Sequence, residues 1–327
     1  MLSSHESQQT AAPTLNRIAA PGKQTGRVGY LLRQGVLAAL LCAAGALPAL
    51  AAEFRLPPIV EPASPEHHPG KIIFVQLVTP DLAASKHFYA GLFGWTFRDL
   101  QAGSSQYAEA YLDGRPVAGL LHRALPTGGQ RQPAWLSFFA AADVDATRKV
   151  ALQNGAKLLV EPHNVPNRGR EAIFADPQGA VFAVLTSKSG DPPDVLAATG
   201  DWIWSSLLTS GPDADAAFYQ KLFDYEVFDL PSDPGMEHLL LASDDYARAS
   251  VNSLPGNRPK AHPHWLNYVR VEDADQMTAK VVALGGRVLV AAHSDRHGGK
   301  VSVVADPQGA PFGLFEWSDT ESKEVTK

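Results

Sequence analysis

Cysteine is almost absent: Cys42 stands alone in a chain of 327 residues. That count excludes a disulfide scaffold and any thiolate zinc cluster. A basic excess is missing as well. Lys and Arg number 28 against 34 Asp and Glu, a net charge of -6, whereas a nucleic-acid binder needs a basic face to displace counterions. No glycine-rich loop of the phosphate-cradling or dinucleotide type occurs, and the scattered Ser, His and Asp define no nucleophilic triad. What remains is globular in character, with 45% hydrophobic, 19% charged and 9% aromatic residues. A chain of this length is expected to hold two domains.

One stretch, GVLAALLCAAGALPALAA at 35–52, carries no charge over eighteen residues. Arg27 and Arg33 precede it, Pro48 breaks it, and Ala49-Leu50-Ala51 offers the small-x-small pattern of signal peptidase. Together these features describe a secretory signal within an N-terminal extension at 1–51. The alternative is an uncleaved anchor, for which a stretch made mostly of Ala is short and weak. Leu41, directly before Cys42, is too bulky for a lipid-modification site. Cleavage after Ala51 removes Arg17, Lys23, Arg27, Arg33 and Glu6, which leaves 24 basic against 33 acidic residues, a charge of -9, and no cysteine. A cysteine-free chain suits an oxidising compartment, so a secreted or periplasmic protein without a stable membrane anchor is expected.

Beyond a Pro-rich tether at 52–69, the chain repeats itself at a spacing of 130 residues. LVTPDLAASKHFYAGLF (77–93) returns as LLTSGPDADAAFYQKLF (207–223), Trp135-Leu136 as Trp265-Leu266, and ADPQGA (175–180) as ADPQGA (305–310). Such a register indicates a duplicated domain, with copies at 70–188 and 200–318, a linker at 189–199 and a polar tail at 319–327. Within the first copy, Ile72–Val78 is β-rich and Thr79-Pro80 reads as a helix start. Strands follow near Trp95–Leu100, Tyr107–Leu112 and Pro116–His122. The second half repeats this order: strand Trp135–Ala141, a helix capped by Asp143 and stopped at Asn154-Gly155, then strands near Lys157–Val160, Glu171–Ala175 and Ala180–Thr186. Asp176-Pro177-Gln178-Gly179 is a turn before it is anything else.

These pieces, in order and twice, resemble the vicinal oxygen chelate superfamily of glyoxalase I, bleomycin-resistance proteins and extradiol dioxygenases. The match is carried by Phe88-Tyr89 with Phe93-Gly94-Trp95, the Asp113–Gly119 hairpin, Trp135 leading into Asp143-Val144-Asp145, and ADPQGAVF; the second copy has Asp224-Tyr225 in place of Gly-Trp. The resemblance spans about 240 of 327 residues. It implies an α+β fold of two tandem domains, each of paired βαβββ modules forming a half-barrel cup. It also implies a divalent metal held by side chains of the first, fourth, fifth and eighth strands. Those positions read Phe74, Ala118, Leu136 and Ala183 in the first copy. In the second they read Trp204, Leu266 and Gly313, with Arg248 or Ala249 on the fourth strand. None coordinates a metal, so no cofactor is expected, although His262 and His264 remain rescue candidates.

On strand parity the first cup is lined by Phe74, Gln76, Leu136, Phe138, Ala183 and Leu185, and the second by Trp204, Ser206, Leu266, Tyr268, Gly313 and Phe315. Such linings suit a small apolar or aromatic ligand oriented by Gln76, Ser206 or Tyr268, or equally a filled core. Arg248 is a candidate for an anionic ligand group, provided its side chain does not face solvent. His163 and His293 occupy equivalent loops after the sixth strand of each copy, and are catalytic acid-base candidates because imidazole titrates near neutral pH. Arg168-Gly169-Arg170 reads as a solvated turn. The expected function is an exported, metal-independent small-molecule binder; the alternatives are a metal-dependent glyoxalase, lyase or dioxygenase with unusual ligands, and a structural module with filled cups. A homodimer is left open. N-terminal sequencing of the protein released by osmotic shock is expected to begin at Ala52; recovery of the intact N-terminus in the membrane fraction would favour the anchor.

Overall fold

Each copy starts from the same local chemistry: a β-rich run, an aspartate or glycine, and a helix with an aromatic face. The computed structural model describes residues 55–102, 105–124, 133–230, 238–254, 261–294 and 299–317. The first copy runs β1 (Ile72–Thr79), α1 (Leu82–Phe93), β2 (Thr96–Ala102), β3 (Ser105–Leu112), β4 (Arg115–His122), β5 (Ala134–Ala140), α2 (Val144–Gln153), β6 (Lys157–Val165), β7 (Gly169–Ala175) and β8 (Val181–Ser187). The second runs β9 (Trp202–Thr209), α3 (Pro212–Phe223), β10 (Glu226–Asp229), β11 (His238–Ser243), β12 (Tyr246–Ser253), β13 (His264–Val271), α4 (Ala274–Ala283), β14 (Arg287–Ser294), β15 (Lys300–Ala305) and β16 (Pro311–Glu316).

The helix starts follow capping chemistry. Asp143 caps α2 as expected, its carboxylate accepting from Asp145 and Ala146 N–H. The start of α1 lies two residues later than Thr79-Pro80 suggests. Asp81 is the cap, accepting from Ala84 N–H at 2.9 Å, and Pro80 stays outside the helix. In α3 the proline is inside, with Gly211 before Pro212. Asp224 replaces Gly94 at the helix end and adopts the same left-handed conformation, with φ 57° against 75°. Asp tolerates that region better than most side chains.

Each copy is one eight-stranded sheet, ordered β2-β3-β4-β1-β5-β8-β7-β6 and β10-β11-β12-β9-β13-β16-β15-β14. The central pairs β1/β5 and β9/β13 are antiparallel, and each module closes on itself through a parallel pair such as β1/β4. The helices cover the convex faces, and those faces pack on each other in crossed fashion. One core joins α1 and β1, β3 and β4 to Val281, Val304, Phe312 and Leu314 of the second copy. The other joins Phe139, Phe174 and Phe182 to Phe218, Tyr219, Phe223 and Trp265. Aromatic rings fill both, some stacked, as Tyr89 on Trp95 at 5.4 Å and Phe139 on Phe223 at 5.3 Å. More of them are edge-on, as Trp135 to Tyr89 at 5.3 Å and Trp265 to Tyr219 at 5.2 Å.

Paired polar relays cross this interface. Trp135 Nε1 donates to Tyr89 Oη at 3.1 Å, and Tyr89 Oη donates to Asp306 at 3.2 Å. Trp265, Tyr219 and Asp176 repeat the relay in the other direction, at 2.9 and 3.1 Å. The DPQG turn is thus more than a turn: Oδ1 of Asp176 accepts the turn's own N–H groups, while Oδ2 ties down the other copy. At the centre, Ser137 and Ser205 both donate to Asn267 Oδ1 at 3.0 and 2.6 Å.

One group in this interface is not satisfied. Asp215, in the first turn of α3, takes the place of Ser85, whose hydroxyl meets Thr79 at 2.9 Å. The Asp215 side chain is fully buried, and only a loose contact with the Thr209 hydroxyl, outside good hydrogen-bond geometry, offsets that burial. Burial, with Asp176 nearby, pushes its carboxyl up to about 7 from 3.8. A raised native pKa means the folded state binds more protons than the unfolded chain between about pH 4 and 7. Stability that this carboxyl leaves intact at acid pH is therefore lost as pH rises through that window. Asp215→Ser is expected to gain about 2 kcal/mol at pH 8 and almost nothing at pH 4, measured by urea unfolding at both pH values.

Candidate functional site

With the helices on the convex side, the concave faces point outward, and pairing register places side chains on them. In the first copy Glu109, Gly119, Gln76 and Leu136 form one row across β3, β4, β1 and β5. Phe74, Phe138, Ala183 and Ile173 form the next. Phe74, Gln76 and Phe138 therefore share a face as expected. The fourth-strand residue does not: parallel pairing puts Gly119 opposite Gln76, so Ala118 turns to the helix side and is buried in the interface core. A one-residue slip reverses strand parity. Any Cβ at Gly119 would collide with the Tyr107 hydroxyl lying across it.

This first cup is filled by its own chain. Ile59, 4% exposed, and Val60 pack against Phe74, Leu136, Phe138 and Leu185, and Leu56 packs on Tyr107. The Pro-rich tether thus has no regular structure yet is held down here. Val60 N–H donates to Ser189 Oγ at 3.1 Å and Ser64 N–H to Ser189 O at 2.9 Å. Beneath it lies a charged pair that local sequence reading places in solvent. Arg168 is 2% exposed; its Nη2 donates to both oxygens of Glu109 at 2.9 and 2.8 Å. Tyr107 Oη also donates to Glu109, at 2.8 Å, and the guanidinium lies 4.2 Å above the Phe74 ring. Only Arg170 fits the solvated-turn reading, pairing with Asp145 at the surface.

The second cup keeps the architecture and changes the occupants. Leu240, Ser250, Ser206 and Leu266 form the row matching Glu109, Gly119, Gln76 and Leu136. Trp204, Tyr268, Gly313 and Val303 form the next, with the Tyr268 ring over Gly313 and Phe315 edge-on to it at 6.4 Å. Trp204 and Tyr268 are half-buried where Phe74 and Phe138 are buried. Hydroxyls gather at the floor: Ser206 Oγ meets Ser250 Oγ at 2.8 Å, and Trp204 Nε1 donates to Ser250 Oγ at 3.1 Å. Asn252 reaches Ser250 at 3.4 Å through Nδ2, while its Oδ1 is buried without a hydrogen-bond partner. The positions matching Ile59 and Val60 are Ser189 and Gly190, which carry no apolar plug.

The histidines separate. His163 and His293 sit within β6 and β14 rather than in loops, each with Nδ1 bonded to the carbonyl two residues back at 3.0 Å. His163 also stands 3.4 Å from Glu171, which holds its pKa above the ordinary value. His293 is exposed and pairs in register with Val301. His264 belongs to β13, on the second cup's face. Its Nδ1 donates to His262 O at 2.7 Å, leaving Nε2 as a bare lone pair, and burial lowers its pKa. Arg248 does not face solvent: its side chain is 3% exposed and bonded to Asp194 at 2.6 Å and Ser243 at 2.9 Å.

A divalent metal of the kind the family resemblance implies finds no donors here. By the same register the fourth-strand position of the second cup is Ser250, not Arg248 or Ala249. The four positions are therefore Phe74, Gly119, Leu136 and Ala183 in one cup and Trp204, Ser250, Leu266 and Gly313 in the other, a set without His or carboxylate. Among the described residues no three His, Cys, Asp or Glu side chains converge.

Comparison with known proteins follows the same division. Residues 71–184 match the Glyoxalase/Bleomycin resistance protein/Dioxygenase superfamily, and residues 205–315 match a Glyoxalase-like domain. The protein named "Putative glyoxylase CFP32" of Mycobacterium tuberculosis is 30% identical over 259 residues, which cover 78% of this chain and 98% of that one. "Anthracycline biosynthesis protein DnrV" of Streptomyces peucetius is 32% identical over 263 residues, 76% of this chain and 94% of that one. The Mn(II)-bound glyoxalase from Novosphingobium aromaticivorans superposes with a TM-score of 0.54 at 18% identity, over 77% of this chain and 84% of that one. This structural likeness shows the fold alone.

The charged pair of the first cup yields a test. Removing one partner strands a buried charge, whereas removing both leaves an apolar core. Glu109→Leu, which installs the residue found at 240, is expected to cost about 3–5 kcal/mol, and adding Arg168→Met to recover most of that loss, measured by denaturant unfolding of both variants.

Proposed function

The chain belongs to the glyoxalase/bleomycin resistance protein/dioxygenase superfamily as two domains in tandem, and from that premise we propose that it binds a small apolar or aromatic molecule in its second cup without a metal. The observation that carries this reading is the difference between two cups of one architecture. The first is closed by Ile59, Val60 and the Arg168–Glu109 pair. The second presents two half-buried aromatic rings above a floor of Ser206, Ser250 and Asn252, one of whose oxygens has no partner. Aromatic walls with a few convergent polar groups are the ordinary make-up of a ligand pocket. The name of DnrV supports a planar ligand, since anthracyclines are flat polycyclic aromatics. The donor set at the strand positions supports binding that needs no cation.

A second reading, turnover by a metal-free acid-base route, is favoured by one observation. His264 lies on the cup face, neutral, with Nε2 able to accept a proton. In either reading the charge-free run at 35–52 supports an exported protein; it falls outside the described residues.

Binding is read with 1,4-dihydroxyanthraquinone, followed by tryptophan quenching and thermal shift. Ser250→Phe fills the second cup and is expected to weaken binding about tenfold, while Ile59→Ala, in the first cup, leaves it unchanged. Equal binding by the Ser250→Phe variant would overturn the assignment to this cup. About one equivalent of Mn, Fe, Ni or Zn in protein purified without chelators would overturn its metal-free part.

A further inference from the structure

The two copies differ in one more place, where the first and fourth strands of each cup begin. These strands pair in parallel only from Gln76/Gly119 and Ser206/Ser250 onward, so their N-terminal halves splay apart. In the first copy Trp202 spans the opening: its Nε1 donates to Val117 O at 3.1 Å, and Arg115 and Asp201 pair beside it at 3.3 Å. The duplication places Ile72 at the position of Trp202. Ile72 is too short to span the gap, and a groove of 380 Å³ remains there, with Ile72, Val75 and Leu196 as apolar walls and Trp204 and Tyr246 as aromatic ones. That volume lies within the range of small-molecule sites, about 300–1,000 Å³. Val195 and Leu196, on the linker at its edge, are 72% and 44% exposed.

The groove also carries cations. Lys71 Nζ and Arg248 Nη1 share one oxygen of Asp194, at 2.8 and 2.6 Å. Two cations thus meet one partly buried carboxylate, and Lys71 donates its remaining N–H groups to the carbonyls of Pro192 and Pro193 at 2.7 and 2.8 Å. Arg248 Nη2 is buried and makes no hydrogen bond; Asp244, an exposed side chain, stands 3.5 Å away. Of the other nearby charges, Asp191 is engaged by His68 N–H at 2.7 Å, and His68 Nδ1 stands 3.5 Å from the far oxygen of Asp194. An unused guanidinium N–H beside an apolar slot matches a carboxylate on a flat body, because charge-assisted bonds to Arg are strong and directional.

We propose that this groove, which adjoins the cup across Trp204, is a second ligand site that takes a small aryl carboxylic acid, with its ring between Ile72, Leu196 and Trp204 and its carboxylate on Arg248. The full chain is titrated by calorimetry with sodium 2-naphthoate and with neutral 2-naphthylmethanol. Naphthoate is expected to bind about tenfold more tightly than the alcohol. Ile72→Trp, which installs the residue that closes the first copy's opening, and Leu196→Glu, a change at an exposed linker position that should not disturb folding, are each expected to weaken naphthoate about tenfold or more. Tyr268→Ala, which removes a ring of the cup that does not line the groove, is expected to leave naphthoate binding unchanged, so a failure of the cup reading does not carry over. Absence of naphthoate binding, equal affinity for the alcohol, insensitivity to Leu196→Glu, or loss of binding in Tyr268→Ala would each overturn the proposal.

Discussion

The convex faces of the two sheets cannot be left in water, and nearly everything else follows from how they are covered. Helices α1 and α3 carry Phe88, Tyr89 and Phe93, and Phe218, Tyr219 and Phe223. A single copy would bury only one side of such a helix. Packing the copies back to back buries both, and the crossed arrangement means that each aromatic core is half from one copy and half from the other. The Tyr–Asp bonds add direction to what hydrophobic burial alone leaves loose: each DPQG turn must sit opposite the other copy's tyrosine. A non-directional force brings the sheets together, and two buried hydrogen-bond relays set their register.

Back-to-back packing sends the cups to opposite sides of the molecule. They share no wall, so a change in one is not transmitted by contact to the other. That independence lets one cup become core while its duplicate keeps half-buried rings and a floor of hydroxyls. The charged pair in the first cup is not needed for stability in itself, since buried ion pairs roughly break even against apolar replacements. Its geometric effect is clearer: Glu109 on β3 and Arg168 at the β6–β7 turn come from opposite halves of the sheet, so the pair spans the cup and fixes its curvature beneath the Ile59–Val60 plug.

Much of the fold was legible because it is written in local and periodic signals. The 130-residue repeat, the Asp143 cap, the DPQG turns and the strand parity of Phe74, Phe138, Trp204 and Tyr268 all depend on neighbours in sequence or on the comparison of one copy with the other. What was not legible depends on pairs distant in the chain. Arg168 looks solvated beside Gly169 and Arg170, and only Glu109, 59 residues away, makes it a buried group. Gly119 and Ala118 are indistinguishable until β4 is set against β1. The strands β6 and β14 run past His163 and His293 through bulges in their pairing, so composition ends them too early. The Pro-rich segment reads as a tether because its prolines are prominent, while Leu56, Ile59 and Val60 among them do the packing.

The fate of each cup turns on the residue facing its first strand. Gly119 in the first copy has no side chain, and the space above it is taken by Tyr107, whose hydroxyl reaches Glu109 and draws Arg168 down over Phe74. Ser250 in the second copy occupies the same register position, and the residue matching Tyr107 is His238. A Cβ at this position excludes a ring lying flat across the strand, and its hydroxyl offers partners to Ser206 and Trp204 instead. Leu240 in place of Glu109 then removes the carboxylate that holds the buried guanidinium in the first cup. Neither change is sufficient alone: Glu at 240 would call for a cation, and Gly at 250 would readmit an aromatic ring. Together they keep the second floor polar at its centre and aromatic at its walls, and the first one closed.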